Sequence, residues 1–199
     1  MTGVENRFGT APDPVLPEWQ VSTWLNTPRP LTLQGLRGKV VLLHTFQMLC
    51  PGCVTYGLPQ AQRVRRAFLE SEVAVVGLHT VFEHHAVMSV EALRAFVHEY
   101  RWSFPIGVDA PDGLGGPSLT MARYGLRGTP SCLVLDRQGR VQLHHFGQLD
   151  DLPLGALLGR LMTSPAPLPE DEIKSGASAD LVQRGGAAVC APDGCGGLP

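Results

Sequence analysis

Four consecutive branched apolar residues, Val40-Val41-Leu42-Leu43, lead within a few positions to Leu49-Cys50-Pro51-Gly52-Cys53, and a helical stripe follows. This succession constrains the fold more than any other part of the chain. A short β-branched run of that kind marks a strand buried on both faces. It follows Leu36-Arg37-Gly38-Lys39, which reads as a turn. Beyond the cysteines, Leu58, Ala61, Val64, Ala67 and Phe68 recur at helical spacing, with Arg63, Arg65, Arg66 and Glu70 on other faces. Two thiols therefore stand where a buried strand gives way to a helix.

The rest of the chain continues the alternation. Val73-Ala74-Val75-Val76-Gly77-Leu78 reads as a second buried strand. Ser89 is placed to cap a helix whose stripe is Leu93, Phe96, Val97 and Tyr100. A short helix is expected from Ser118 to Tyr124, then a strand at Leu133-Val134-Leu135-Asp136. The turn Arg137-Gln138-Gly139-Arg140 folds it back on Val141 to Phe146 as a hairpin, and Leu152 to Met162 closes the domain as an amphipathic helix. The order strand–helix–strand–helix–strand–strand–helix predicts an α/β fold, a central mixed sheet with helices on both faces. Residues 1–17 read as a loose leader, 18–163 as the domain, and 164–199 as a Pro/Gly/Ala-rich C-terminal extension.

Composition excludes several classes. The 199 residues are 44% apolar with a formal charge of −2. That balance supports a buried core and lacks the basic footprint of a nucleic-acid binder or a membrane-surface protein. No stretch approaches the roughly 18 uninterrupted apolar residues of a membrane span. The start, Met1 to Pro14, lacks the basic-then-apolar pattern of a secretory signal, so the expected compartment is the cytoplasm. In a reducing compartment, closely spaced cysteines suggest redox chemistry or metal binding rather than structural disulfides.

At a helix start, unpaired N–H groups and the macrodipole stabilise a thiolate, so Cys50 is expected to be the low-pKa attacking sulfur. Pro51 suits the first helical position, where its missing N–H costs nothing. Cys53, three residues on, is expected within reach of Cys50 and tucked inward, as a reversible disulfide requires. Half of a zinc site and a pair of inert buried thiols remain as alternatives. No second C-x-x-C or C-x-x-H supplies the missing zinc ligands.

From about Trp24 to Met162 the chain resembles the thioredoxin superfamily, in the TlpA-like redoxin branch that grades into the peroxiredoxins. The resemblance rests on Leu36 to Leu43, Cys50-Pro51-Gly52-Cys53, Phe104-Pro105-Ile106-Gly107-Val108-Asp109, Tyr124-Gly125-Leu126-Arg127-Gly128-Thr129-Pro130, and Leu133 to Asp136. A C-x-x-C some 75–80 residues before Gly-Thr-Pro is a specific combination. The resemblance implies a thiol–disulfide oxidoreductase with Thr129-Pro130 cis against the cysteines and its backbone pairing with an extended substrate. Leu49 and Phe46 depart from the family's usual Trp residues, and Pro59 stands one residue later than the usual helix proline. The acidic residue that many relatives use near the second cysteine is missing; His44 stands where thioredoxins bury an Asp. It reads either as a group exchanging protons near neutral pH or as a core histidine.

Of the remaining cysteines, Cys132 reads as a small core residue. His79, His84 and His85, and the adjacent His144-His145 with their opposed faces, offer no single metal site. Cys190 and Cys195 bracket the turn-forming run Pro192-Asp193-Gly194. The connector after the last helix, about 27 residues, reaches roughly 25–30 Å as a flexible chain. The tail pair therefore reads as a second redox relay to Cys50, within one chain or across a homodimer, with metal capture and incidental thiols as the alternatives. The leading function is reduction or exchange of disulfides on a protein or small thiol substrate, with a cellular dithiol as reductant and no cofactor. A thiol peroxidase using Cys50 ranks second, because Leu43 and Gln47 replace the family's Pro and Thr or Ser. A metal-thiolate carrier using the tail cysteines is a third reading.

Overall fold

The computed structural model describes residues 15–164; Cys190, Cys195 and the tail relay lie outside them. The elements run β1 (Val21–Leu25), β2 (Val40–Phe46), α1 (Leu58–Ala67), β3 (Val73–His79), α2 (Val90–Glu99), β4 (Ile106–Asp109), α3 (Leu119–Arg123), β5 (Ser131–Leu135), β6 (Val141–Phe146) and α4 (Asp151–Met162). The six strands form one mixed sheet in the order β1-β4-β3-β2-β5-β6. β2, β3 and β4 are parallel, while β1, β5 and β6 join antiparallel to β4, β2 and β5.

β2 and β3 are buried at every position, as their continuous apolar runs require of central strands. Side chains alternate across the sheet. Val40, Leu42 and Phe46 enter a core with Cys53, Leu58 and Ala61, beneath Leu93 and Val97 of α2 and Leu154 and Leu158 of α4. Val41 and Leu43 enter the opposite core with Met121, Tyr124, Trp19 and Leu36. Helices thus cover both faces. The Ser89 hydroxyl accepts from the Ala92 N–H at 3.2 Å and caps α2. Asp136 shapes the β5–β6 turn by accepting from the N–H groups of Gln138 and Arg140, each at 2.9 Å.

Three features differ from the sequence reading. β1 and β4 form an antiparallel pair at one edge of the sheet that was not anticipated. Gly107, a residue that ordinarily weakens a strand, lies where β1 comes close: a Cβ there would stand 2.9 Å from Val21. The leader is partly engaged, since Val15 bridges to Arg140 and the Pro17 carbonyl accepts the Tyr124 hydroxyl at 2.7 Å. Finally, the helix that opens at Pro51 passes through a π-turn at Cys53–Gly57, in which the Leu58 N–H bonds to the Cys53 carbonyl. A π-turn holds one extra residue within a helix. That insertion accounts for Pro59 arriving one residue late.

Candidate active site

β2 delivers the chain to one end of the sheet, and the Cys50 N–H closes a tight turn on the Gln47 carbonyl at 3.2 Å. Cys50 then occupies the helix-capping place. Its Sγ accepts the N–H of Cys53 at 3.2 Å, the bond a Ser or Asp side chain usually makes to the third helical residue. Pro51 takes the first helical position, where it sacrifices no hydrogen bond. Cys50 Sγ thus stands at the start of the helix with the Cys53 N–H aimed at it.

The two thiols differ sharply in environment. Cys50 is half-buried, whereas Cys53 is 0% exposed and packs among Phe46, Leu58 and Cys132. Burial, reinforced by the neighbouring Cys50, pushes the Cys53 thiol up to about 12. Cys132, opposite His44 on β5, is pushed to about 12 by burial alone.

Facing the pair is the loop ahead of β5. The Thr129–Pro130 bond is cis, and the Thr129 carbonyl lies 3.5 Å from Cys50 Sγ, oriented to accept its S–H. Gly52 is small for a reason: a Cβ there would stand 3.2 Å from Pro130 Cδ, so the loop and the helix start come together because position 52 lacks a side chain. Behind the loop, the Gly147 N–H donates to the Pro130 carbonyl at 2.8 Å, and the Phe146 ring lies against Gly128 with the Arg127 guanidinium 5.4 Å above it. Leu49, Tyr56 and Phe146 are all exposed. Leu49 directly precedes Cys50, and Phe146 lies against Gly128 of the loop that ends in Thr129-Pro130.

His44 is buried beneath the π-turn, directly under Gly57, with its Nε2 lacking any partner. Burial pushes the imidazole down to about 4, so it is neutral at ordinary pH. Of the two readings of His44, the surroundings match the core histidine: desolvation holds the ring below its unperturbed value of about 6.5. Gln47 was noted in the sequence only as a departure from a peroxidase pattern. It is 1% exposed, accepts the Phe82 N–H and donates to Glu83, each at 3.3 Å, and so ties the Cys50 loop to the segment after β3. No local signal marks such a long-range tie. Among the described residues no three His, Cys, Asp or Glu side chains gather as a metal set, and no helix is long and apolar enough to cross a membrane.

A strand leading into a C-x-x-C at a helix start, opposite a cis-proline loop, defines a domain of the thiol–disulfide oxidoreductase type. Comparison with known proteins agrees. A crystal structure of a thioredoxin-like superfamily protein is 53% identical, with a TM-score of 0.75, over 79% of this chain and 100% of that one. A thiol-disulfide isomerase from Corynebacterium glutamicum is 51% identical, with a TM-score of 0.72, over 77% of this chain and 98% of that one. The chain belongs to the thioredoxin-like superfamily. Among curated proteins, Protein DipZ of Mycobacterium tuberculosis is 30% identical over 161 residues, which are 80% of this chain and 21% of DipZ. The chain thus spans about a fifth of the length of that relative. No family model matches the sequence.

Proposed function

We propose that the protein is a thiol–disulfide oxidoreductase in which Cys50 attacks and Cys53 resolves. The observation that carries this reading is the asymmetry of the pair: Cys50 is half-buried and accepts an N–H from Cys53, whose own sulfur has no exposed surface. The Cys50 thiolate attacks one sulfur of a substrate disulfide. An S–S bond to Cys50 forms as the substrate bond breaks, and the electron pair leaves on the second substrate sulfur. Cys53 then gives its proton to the departing thiolate and attacks Cys50 Sγ. The first substrate sulfur is released, and the pair is left as a disulfide, two electrons having passed to the substrate. A cellular dithiol restores the starting state.

In this scheme Pro51 and Gly52 shape the helix start and admit the cis-proline loop. Thr129 offers its backbone to an extended substrate while cis Pro130 sets the turn, and exposed Leu49 beside Cys50 suits a disulfide-bearing protein. His44 supports the π-turn from below as a neutral ring. The relay through Cys190 and Cys195 is proposed on sequence spacing alone, and the cytoplasm remains the proposed compartment. The peroxidase reading gains no support from Gln47, whose amide is already committed to Phe82 and Glu83.

Trapping tests the assignment. The Cys53→Ala protein, mixed with a peptide disulfide, should hold a mixed disulfide on Cys50 that intact-mass measurement detects. The Cys50→Ala protein should hold none. A trapped adduct on Cys53 in the second protein, with none on Cys50 in the first, reverses the roles.

A further inference from the structure

The β1 edge of the sheet carries an open cleft of about 590 Å³. Leu25, at its wall, lies on the edge strand β1, which β4 and β3 separate from β2, the strand that leads to Cys50. The cleft runs between the end of β1 and the end of α2, and its polar and aromatic lining is Trp24, Asn26, Arg94, His98, Arg101 and Trp102. No carboxylate lines it.

Arg101 is the unusual residue. α2 ends in a paired turn: the Arg101 N–H bonds to the His98 carbonyl at 3.1 Å and the Trp102 N–H to the Val97 carbonyl at 3.2 Å. In that motif the residue after the cap is left-handed and usually glycine, because an L side chain is strained there. Arginine stands in it here with φ +54°. No carboxylate among the described residues pairs with its guanidinium. The neighbouring basic side chains have partners on their own helix: His98 Nδ1 lies 3.3 Å from Glu99, and Arg94 interacts with Glu91.

The walls are rigid and aromatic. Asn26, itself at φ +57°, donates its amide to the Trp102 carbonyl at 2.7 Å and to the Phe104 carbonyl at 3.1 Å, which ties the end of β1 to the end of α2. The Trp102 ring stacks on Tyr100 with centroids 5.7 Å apart, and its indole N–H is buried with no acceptor. A buried donor without a partner costs stability unless something supplies an acceptor. Trp24 is held edge-on by Trp19 at 5.6 Å.

We propose that this cleft binds a small organic anion that joins an oxyanion to a flat ring. The oxyanion lies on the Arg101 and Arg94 guanidinium groups, whose planar forks match carboxylate and phosphate alike, and the ring lies against Trp24 and Trp102. Aromatic carboxylates and nucleoside monophosphates share this chemistry.

The test is a titration of the full chain followed by the indole N–H resonances, with Trp19 as the internal control. The probes are adenosine monophosphate, 1-naphthoate, adenosine and inorganic phosphate. Shifts confined to Trp24 and Trp102 are expected with either or both of the first two, and whichever binds identifies the oxyanion source. Adenosine and phosphate should each bind at least about tenfold more weakly, having lost one half of the recognition. The Arg101→Gly protein should weaken the anionic rings by about tenfold or more while melting no lower than wild type, because glycine suits the turn. The proposal is overturned if neither anionic ring shifts Trp24 and Trp102, if adenosine or phosphate alone binds as tightly as the joined molecule, or if Arg101→Gly binds as wild type.

Discussion

Replacing Gly57 by alanine probes how the π-turn sits on the sheet. A Cβ at position 57 would overlap the His44 imidazole edge, Nε2 and Cε1. The ring has little room to retreat: His44 is 3% exposed and flanked in register by Gly77 on β3 and Cys132 on β5. In an open helix the same change would stabilise by roughly 0.5–1 kcal/mol. Forcing a methyl into packed core costs roughly 1–3 kcal/mol, and here the collision should win. The expected net loss is about 1–2 kcal/mol, or a fall in melting temperature of about 2–8 °C for a chain of this size. A double-mutant cycle isolates the cause. His44→Ala in the Gly57→Ala background vacates the space the new methyl needs, so the double variant should lose less than the sum of the singles by about 1 kcal/mol. Urea unfolding of the four reduced proteins measures all terms. A Gly57→Ala protein as stable as wild type, or single effects that add within about 0.5 kcal/mol, would refute the packing argument.

Other outcomes follow from the same geometry. His44 and His79 are both pushed down to about 4 by burial, against an unfolded value near 6.5. Below 6.5 the unfolded chain therefore binds more protons, and the stability these rings confer is complete above that pH and lost as pH falls towards 4. Urea midpoints at pH 7 and 4.5 should show this loss, and His79→Leu should flatten it; a variant as steep as wild type contradicts the assignment. If the tail relays electrons, Cys53→Ala should trap Cys50 with Cys190 or Cys195, and removing residues 164–199 should slow turnover with a regenerating reductant while Cys50 alkylation is unchanged. Turnover unaffected by truncation makes the tail a bystander. Acid quenching of intact cells before alkylation should find the Cys50–Cys53 pair reduced; a resting disulfide would place the chain in an oxidising compartment.

Much of the central architecture was legible because it is written locally. The β2 and β3 runs are uninterrupted and apolar, Ser89 precedes its helix as a cap, and Asp136 to Arg140 spells its own turn. The edge strands were not. β1 is only partly buried, with Trp24 and Leu25 adjacent and Ser22-Thr23 before them, and β4 has only four residues, one of them glycine, so neither carries the alternation that marks a half-buried strand. Their pairing depends on Gly107 accepting Val21, a contact between distant parts of the chain. At the site, the cysteines and the Gly-Thr-Pro loop stood out by residue type. The fit of Gly57 over His44, of Gly52 against Pro130 and of Gln47 between two loops did not, because each depends on which distant residue arrives opposite. The two readings of His44 stayed open for a related reason: its unperturbed value is local, whereas its burial is a property of the assembled sheet and helix.

The most direct test of the central claim is to equilibrate the full reduced chain with a graded series of glutathione and glutathione disulfide, quench with acid, alkylate and map every cysteine by mass spectrometry. The expected result includes a two-electron transition that joins Cys50 to Cys53, with Cys132, buried and pushed to about 12, remaining an unmodified thiol throughout. A chain that forms no Cys50–Cys53 disulfide at any ratio, or whose first glutathione adduct is on Cys53, would contradict the account.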